Sequence, residues 1–209
     1  MARSKRITFL SELLMGYSVA LDIGSDHGYV LLEAFKKGYI KHGIASDLRI
    51  EPLMQAKKNL IGFDAKTIQS DGFLNIHESF DVAMIAGMGS YLIANIMEHA
   101  PSYDVTYILQ PNDKPEVLRK YLMDHGFMII DEYVVRDRFD YVIMKVKRGN
   151  MALNREDLIL GPILKKKEDS RNYYQRKVQL LTKLLKHVDE KRSYEINELI
   201  KIYNSIIKP

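Results

Sequence analysis

Seven apolar, strand-like runs lie between residues 19 and 147, and the connections between them limit the fold more than any other feature. The first five runs, at 19–24, 43–47, 66–69, 80–86 and 105–110, are interleaved with helical stretches at 29–37, 51–61, 90–98 and 115–125. Helical crossovers return each strand parallel to the one before, with helices covering the sheet. The last two runs, 127–135 and 141–147, are separated only by Arg136-Asp137-Arg138-Phe139-Asp140. No crossover helix fits there, so these two strands form an antiparallel hairpin. The predicted fold class is α/β: a seven-stranded, mostly parallel sheet with one reversed strand at its end. A lead-in helix at 5–16 places Ile7, Leu10, Leu13 and Leu14 on one face.

Beyond Gly149-Asn150 the pattern is wholly helical. Tyr174, Val178, Leu181, Leu185 and Val188 are spaced by four and three, and Ile196, Leu199, Tyr203 and Ile206 repeat that seam. The charged turn at 189–193 joins them, which predicts an antiparallel coiled-coil hairpin. Leu158, Leu160, Ile163 and Leu164 tie it to the sheet. The expected division is 1–149 for a ligand-binding domain and 150–209 for a helical, separable one.

Charge follows the same division. Residues 145–209 hold 16 Lys and Arg against 8 Asp and Glu, whereas residues 1–144 hold 15 against 19. A basic helical end suits an anionic macromolecule, and equally suits a solvated helix surface. There is no cysteine, which excludes disulfides and thiolate zinc sites and predicts an intracellular, cytoplasmic protein. The stretch 9–15 is short and contains Glu12, so it makes a poor signal peptide. No run is long enough to span a membrane. The six histidines show no metal-ligand spacing, and no metal is expected.

The first strand runs into Asp22-Ile23-Gly24-Ser25-Asp26-His27-Gly28, and a helix starts near Tyr29. A dinucleotide site places glycine where Asp26 stands, so that pyrophosphate meets bare N–H groups at the helix start. Asp22 and Asp26 repel phosphate and attract a cation. S-adenosylmethionine, with its sulfonium and ammonium, fits this loop better than a dinucleotide. Asp47 ends the second strand, 23 residues after Gly24, where a carboxylate accepts ribose hydroxyls. Asp71 and Gly72 end the third and suit an adenine amino group. Three acidic strand ends on one sheet edge mark a ligand site. Ala86-Gly87-Met88-Gly89 and Gln110-Pro111-Asn112 follow the fourth and fifth strands on the same edge. Glycine allows close approach of a planar base, and the two amides suit a base edge. An amino-methyltransferase motif of the Asn/Asp-Pro-Pro-aromatic type is absent after the fourth strand, which argues against an exocyclic amine and for a ring nitrogen or another nucleophile.

Three motifs occur in this order: Asp22-Ile23-Gly24-Ser25-Asp26-His27, Ile85-Ala86-Gly87-Met88-Gly89 and Ile108-Leu109-Gln110-Pro111-Asn112. Together they resemble the bacterial tRNA (adenine-22-N1)-methyltransferase family, over nearly the whole chain. The sequence departs from the family pattern at Gly28 (usually Ala), Asp47 (usually Glu) and Ser90 (usually Gly). The resemblance implies a Rossmann-like class I methyltransferase fold and methyl transfer from S-adenosylmethionine to N1 of adenosine 22 in tRNA. It implies that Asp22, Gly24, Ser25, Asp26, His27, Gly28 and Tyr29 line the methionine end. Asp47 and Leu48 then hold the ribose, and Asp71 and Gly72 the adenine, with Ala86, Gly87 and Met88 beside the methyl group. Asp26, Gln110 and Asn112 are the expected catalytic residues. Gly89, Tyr91 and Pro111 are expected beside the target base, and Arg136, Arg138, Arg171, Arg176 and Lys177 on the tRNA. A monomer is expected. The alternatives are a methyltransferase for another RNA or a small molecule, and a non-catalytic RNA-binding module on the same fold.

Overall fold

The computed structural model describes residues 4–207. The elements run α1 (Lys5–Glu12), β1 (Val19–Ile23), α2 (Tyr29–Lys36), β2 (His42–Asp47), α3 (Ile50–Asn59), β3 (Ala65–Gln69), β4 (Val82–Met88) and α4 (Ser90–Glu98). They continue with β5 (Thr106–Pro111), α5 (Pro115–Asp124), β6 (Phe127–Arg136), β7 (Asp140–Arg148), α6 (Arg155–Leu160), α7 (Arg171–Leu184) and α8 (Glu190–Ile207). The sheet order is β3-β2-β1-β4-β5-β7-β6. β1 to β5 pair in parallel, and β7 runs antiparallel to both β5 and β6. The predicted seven-stranded sheet with its terminal hairpin is therefore the observed one.

Alternation along each strand divides the core between the two faces of the sheet. Leu21, Ile23, Ile85, Tyr107 and Leu109 point to the face covered by α4, α5 and the C-terminal helices. Ala20, Val82, Met84 and Ile108 point to the other, against Leu10 and Leu14 of the N-terminal segment and Leu31, Ala34, Ala56 and Leu60. By the same alternation Asp22 and Gln110 belong to the face that α1 covers. This is what brings the lead-in helix into the site.

Several predicted boundaries move: the lead-in helix expected over 5–16 ends at Glu12, and the fourth strand starts at Val82. The fourth strand extends through Met88 instead of ending at 86, because it stays paired with β5 across a register shift between Ala86 and Met88. Gly87 makes that shift with φ +83, a left-handed conformation that costs glycine little. At the C-terminus α7 and α8 pack as the predicted antiparallel hairpin. The expected seam runs past the end of α7, however. Leu185–His187 tightens into a 3-10 turn and Val188 is extended.

The root of the hairpin is part of the main core. Leu160, Leu164, Tyr173, Tyr174 and Tyr203 are buried in one cluster with Tyr107, Leu109 and Leu122. Beneath it lies a buried ion pair, with Arg119 Nε donating to Glu132 Oε1 at 2.8 Å. Arg119 Nη1 donates to the Leu158 carbonyl at 2.8 Å, and Glu132 Oε2 accepts from the N–H groups of Ile163 and Leu164 at 3.0 Å each. Sheet, α5 and the 155–170 segment are thus fastened by one polar knot, and residues 150–207 complete the core as well as extending it.

Candidate active site

A cavity of about 520 Å³ opens at the carboxyl ends of β1 to β4. It sits where strand order reverses on either side of β1, the place where open α/β sheets bind ligands. Its volume is that of a small-molecule site. The β1–α2 loop forms one wall. The N–H groups of Gly24 and Ser25 both donate to the Ser46 carbonyl, at 2.8 and 2.9 Å, which ties the loop to β2. Gly24 has φ +71, and a Cβ there would lie 2.0 Å from Met88 Cε. A side chain at this position would push Met88 out of its place on the floor.

Asp22 is buried at the inner end of the cavity, and its Oδ2 accepts from the Ser25 hydroxyl at 2.7 Å. Burial pushes its carboxyl up to about 6, against the opposing pull of the Ser25 hydrogen bond and the Arg6 charge. A buried acid held this way is completed by a cation. Asp47, also buried, accepts the Arg49 backbone N–H at 2.9 Å. Asp26 and Asp71 are exposed at the mouth. Asp26 has φ +48, a strained conformation that Asp tolerates, and its carboxylate is 3.7 Å from His27 Nε2. His27 Nδ1 is buried without a hydrogen-bond partner among the described residues.

Thirteen of the fourteen residues expected around the cofactor line this cavity: Asp22, Gly24, Ser25, Asp26, His27, Tyr29, Asp47, Leu48, Asp71, Gly72, Ala86, Gly87 and Met88. Gly28 does not. It starts α2 with φ +71 and backs onto Ala56 and Leu60, where an added Cβ would meet atoms at 3.2 and 3.3 Å. Its role is close packing of α2 against α3. Four carboxylates, two arginines and two apolar floor residues suit a small ligand with positive and sugar-like parts. S-adenosylmethionine meets that description.

The residues after β5 stand one layer outside this lining. Gln110 is fully buried and all its polar atoms are used. Its Oε1 accepts from Arg6 Nε at 2.6 Å, and its Nε2 donates to Pro111 O at 2.8 Å and to Asn112 Oδ1 at 3.2 Å. Gln110 therefore positions its neighbours and offers nothing to a base. Asn112 is exposed and donates through Nδ2 to the Gly87 carbonyl at 2.6 Å. Gly89 and Tyr91 begin α4, with the Tyr91 ring exposed under Lys114 Nζ at 5.4 Å. The family departure Ser90 has a clear place: its hydroxyl contacts the carbonyls of Asp113 and Lys114 at 2.6 and 2.9 Å and holds the β5–α5 loop.

The five basic residues expected on tRNA lie away from the cavity. Arg136 and Arg176 converge on Asp140, at 3.1 Å and at 2.9 and 2.7 Å. Arg138 lies over the Phe139 ring, Arg171 is exposed at the start of α7, and Lys177 lies over Tyr173 at 5.5 Å. Burial holds the Lys177 ammonium below its usual range. Arg136 and Arg176 are thus already paired, and the exposed positive charge lies further along, at Lys183, Lys186 and Lys191.

Arg6 is the site residue that sequence reasoning missed. It lines the cavity, its guanidinium approaches Gly87, and it lies over the Tyr141 ring at 5.1 Å. The available signal was only the apolar face of α1, which predicts that this helix docks but not where. Ile7, Leu10, Arg49, Ser70, Leu92 and Ile96 also line the cavity.

Comparison with known proteins agrees with this geometry. Residues 20–207 match the family model described as TrmK, tRNA (adenine(22)-N(1))-methyltransferase. A candidate tRNA methyltransferase of Mycoplasma pneumoniae is 31% identical over 170 residues, covering 77% of this chain and 80% of that one. The tRNA (adenine(22)-N(1))-methyltransferase of Bacillus subtilis is 28% identical over 183 residues, covering 80% and 76%. The crystal structure of a Streptococcus pneumoniae candidate tRNA (m1A22) methyltransferase, in complex with S-adenosyl-L-methionine, superposes with a TM-score of 0.85 at 28% identity, over 98% of this chain and 99% of that one. With matching motifs, fold and cavity, this chain belongs to the tRNA (adenine(22)-N(1))-methyltransferase family.

Proposed function

We propose the following division of labour for the reaction of this family. The chain is an S-adenosylmethionine-dependent tRNA (adenine-N1)-methyltransferase that modifies N1 of adenosine 22. When bound, S-adenosylmethionine supplies an electrophilic methyl group on a sulfonium. The observation that carries the assignment of residues is the cavity itself, lined by four carboxylates at three successive strand ends and closed by Gly87 and Met88. Asp22 and the Gly24–His27 loop hold the methionine end, Asp47 the ribose, and Asp71 with Gly72 the adenine.

Adenine N1 carries an unprotonated lone pair near neutral pH, so the protein's task is alignment more than proton removal. Gly87, Gly89 and Asn112 flank the place where the base must lie, with Tyr91 at its edge. Positive charge arrives on the adenine ring as the bond forms. The Asp26 carboxylate at the mouth is the group placed to stabilise it. An Asp26→Asn protein is expected to lose about tenfold in kcat at saturating S-adenosylmethionine. Equal turnover by the two proteins removes Asp26 from the chemistry.

Residues 1–149 are the catalytic domain, and 150–209 grip the tRNA through phosphate contacts. Because the root of the hairpin is built into the core, its tip is the part to test. Replacing Lys183, Lys186 and Lys191 together by Glu is expected to raise KM for tRNA at least tenfold and to lower the salt dependence of binding, with kcat little changed. An unaltered KM would place the tRNA elsewhere. Among the described residues no helix is long and apolar enough to cross a membrane. A monomer is the proposed state, since every residue given a role above comes from a single chain. A tRNA substrate supports a cytoplasmic location.

A further inference from the structure

We infer that Arg6 acts through Gln110 to hold the Asn112 amide in the orientation that reads the target adenine. This rests on the assignment of Asn112 to that base. Arg6 comes from α1, 104 residues away from Gln110 in sequence. A guanidinium only donates, so its 2.6 Å bond requires the oxygen of the Gln110 amide to face it. The Gln110 nitrogen then faces Pro111 O and Asn112 Oδ1, and both of its hydrogens are spent. Asn112 in turn faces its oxygen to Gln110 and its nitrogen to the Gly87 carbonyl at 2.6 Å. Its backbone N–H is fixed to Met88 O at 2.8 Å.

The chain of bonds leaves Asn112 one N–H and one oxygen lone pair at an exposed position beside the cavity. A donor next to an acceptor complements the N7 and N6 edge of adenine, as Asn does in direct readout of that base. Guanine offers two acceptors on the same edge and is refused. Binding on this edge leaves N1 free for the methyl group. Without Arg6, the Gln110 oxygen is buried with no donor, and the side chain turns to find one and releases Asn112. Arg6 is a positioning residue that makes the pocket selective, and α1 is the element through which it does so.

The test compares tRNA transcripts carrying adenosine or purine riboside at position 22, the latter lacking only the 6-amino group. The readout is the ratio of kcat/KM for the two transcripts at saturating S-adenosylmethionine, since Arg6 also borders the cofactor cavity. Wild type is expected to prefer adenosine by roughly 10- to 100-fold. The ratio is expected to fall to about threefold or less in Arg6→Met and in Gln110→Leu, and no further in the double variant. A wild type without preference would remove Asn112 from base reading altogether. A preference retained in full by Arg6→Met, or effects of the two substitutions that multiply, would overturn the relay while leaving that reading intact. If Arg6→Met does not fold, the ratio in Gln110→Leu decides alone, and a retained preference overturns the proposal.

Discussion

An Asp22→Asn protein is expected to bind S-adenosylmethionine about a hundredfold more weakly than wild type near pH 8. It is also expected to lose the pH dependence that wild type shows. The sign follows from burial. In the ligand-free protein the Asp22 carboxyl is pushed up to about 6, so below that pH it is protonated. A cationic ligand requires the carboxylate. Wild-type affinity is therefore highest above pH 6 and falls about tenfold for each pH unit below it. Stability of the ligand-free protein moves the other way. A carboxyl easier to protonate when folded favours the fold at low pH, and that contribution, about 3 kcal/mol, is lost as pH rises from about 4 to 6. Calorimetric titration with S-adenosylmethionine from pH 5 to 8 reads the first effect. Affinity that is flat in wild type across this range would show that Asp22 is not the cation's partner.

The second large effect concerns stability. Replacing Arg119 by Met leaves the Glu132 carboxylate buried and without its cation, at a cost of about 3–5 kcal/mol. For a chain of this size that is about a 10 °C fall in melting temperature. Pairing Arg119→Met with Glu132→Leu removes the stranded charge, yet the N–H groups of Ile163 and Leu164 and the Leu158 carbonyl then lose their partners. The double variant is thus expected to recover only part of the loss. Urea unfolding of the four proteins measures this. A single variant within 1 kcal/mol of wild type would show that the ion pair does not fasten the helical arm. The same knot explains Gly161, which has φ +93 and would set a Cβ 2.6 Å from Glu132 Oε2.

What was legible in the sequence was local. Within each of the stretches 19–28, 43–47 and 66–72 the strand and turn signals lie a few residues apart, and the carboxylates they place share the cavity. The missing crossover between residues 135 and 141 made the reversed β7 readable in the same way. What escaped depends on residues far apart. Nothing near Arg6 announces Gln110, and neither Arg119 nor Glu132 signals a buried pair, because each looks like an ordinary surface charge in its own element. Gln110 was read as a base-contacting amide, and the arginine that saturates it reassigns it to support. The heptad spacing through Val188 was real as a pattern, but the 3-10 turn at Leu185–His187 ends α7 before the seam does.

As proposed above, the acidic cavity and the basic helical arm together serve methylation of N1 of adenosine 22 in tRNA. The direct measurement is incubation of the protein with labelled S-adenosylmethionine and two tRNA transcripts, one with adenosine and one with guanosine at position 22, followed by nucleoside mapping. N1-methyladenosine is expected at position 22 of the first transcript and no label in the second. Equal labelling of both transcripts, or label on any other nucleoside, would contradict it.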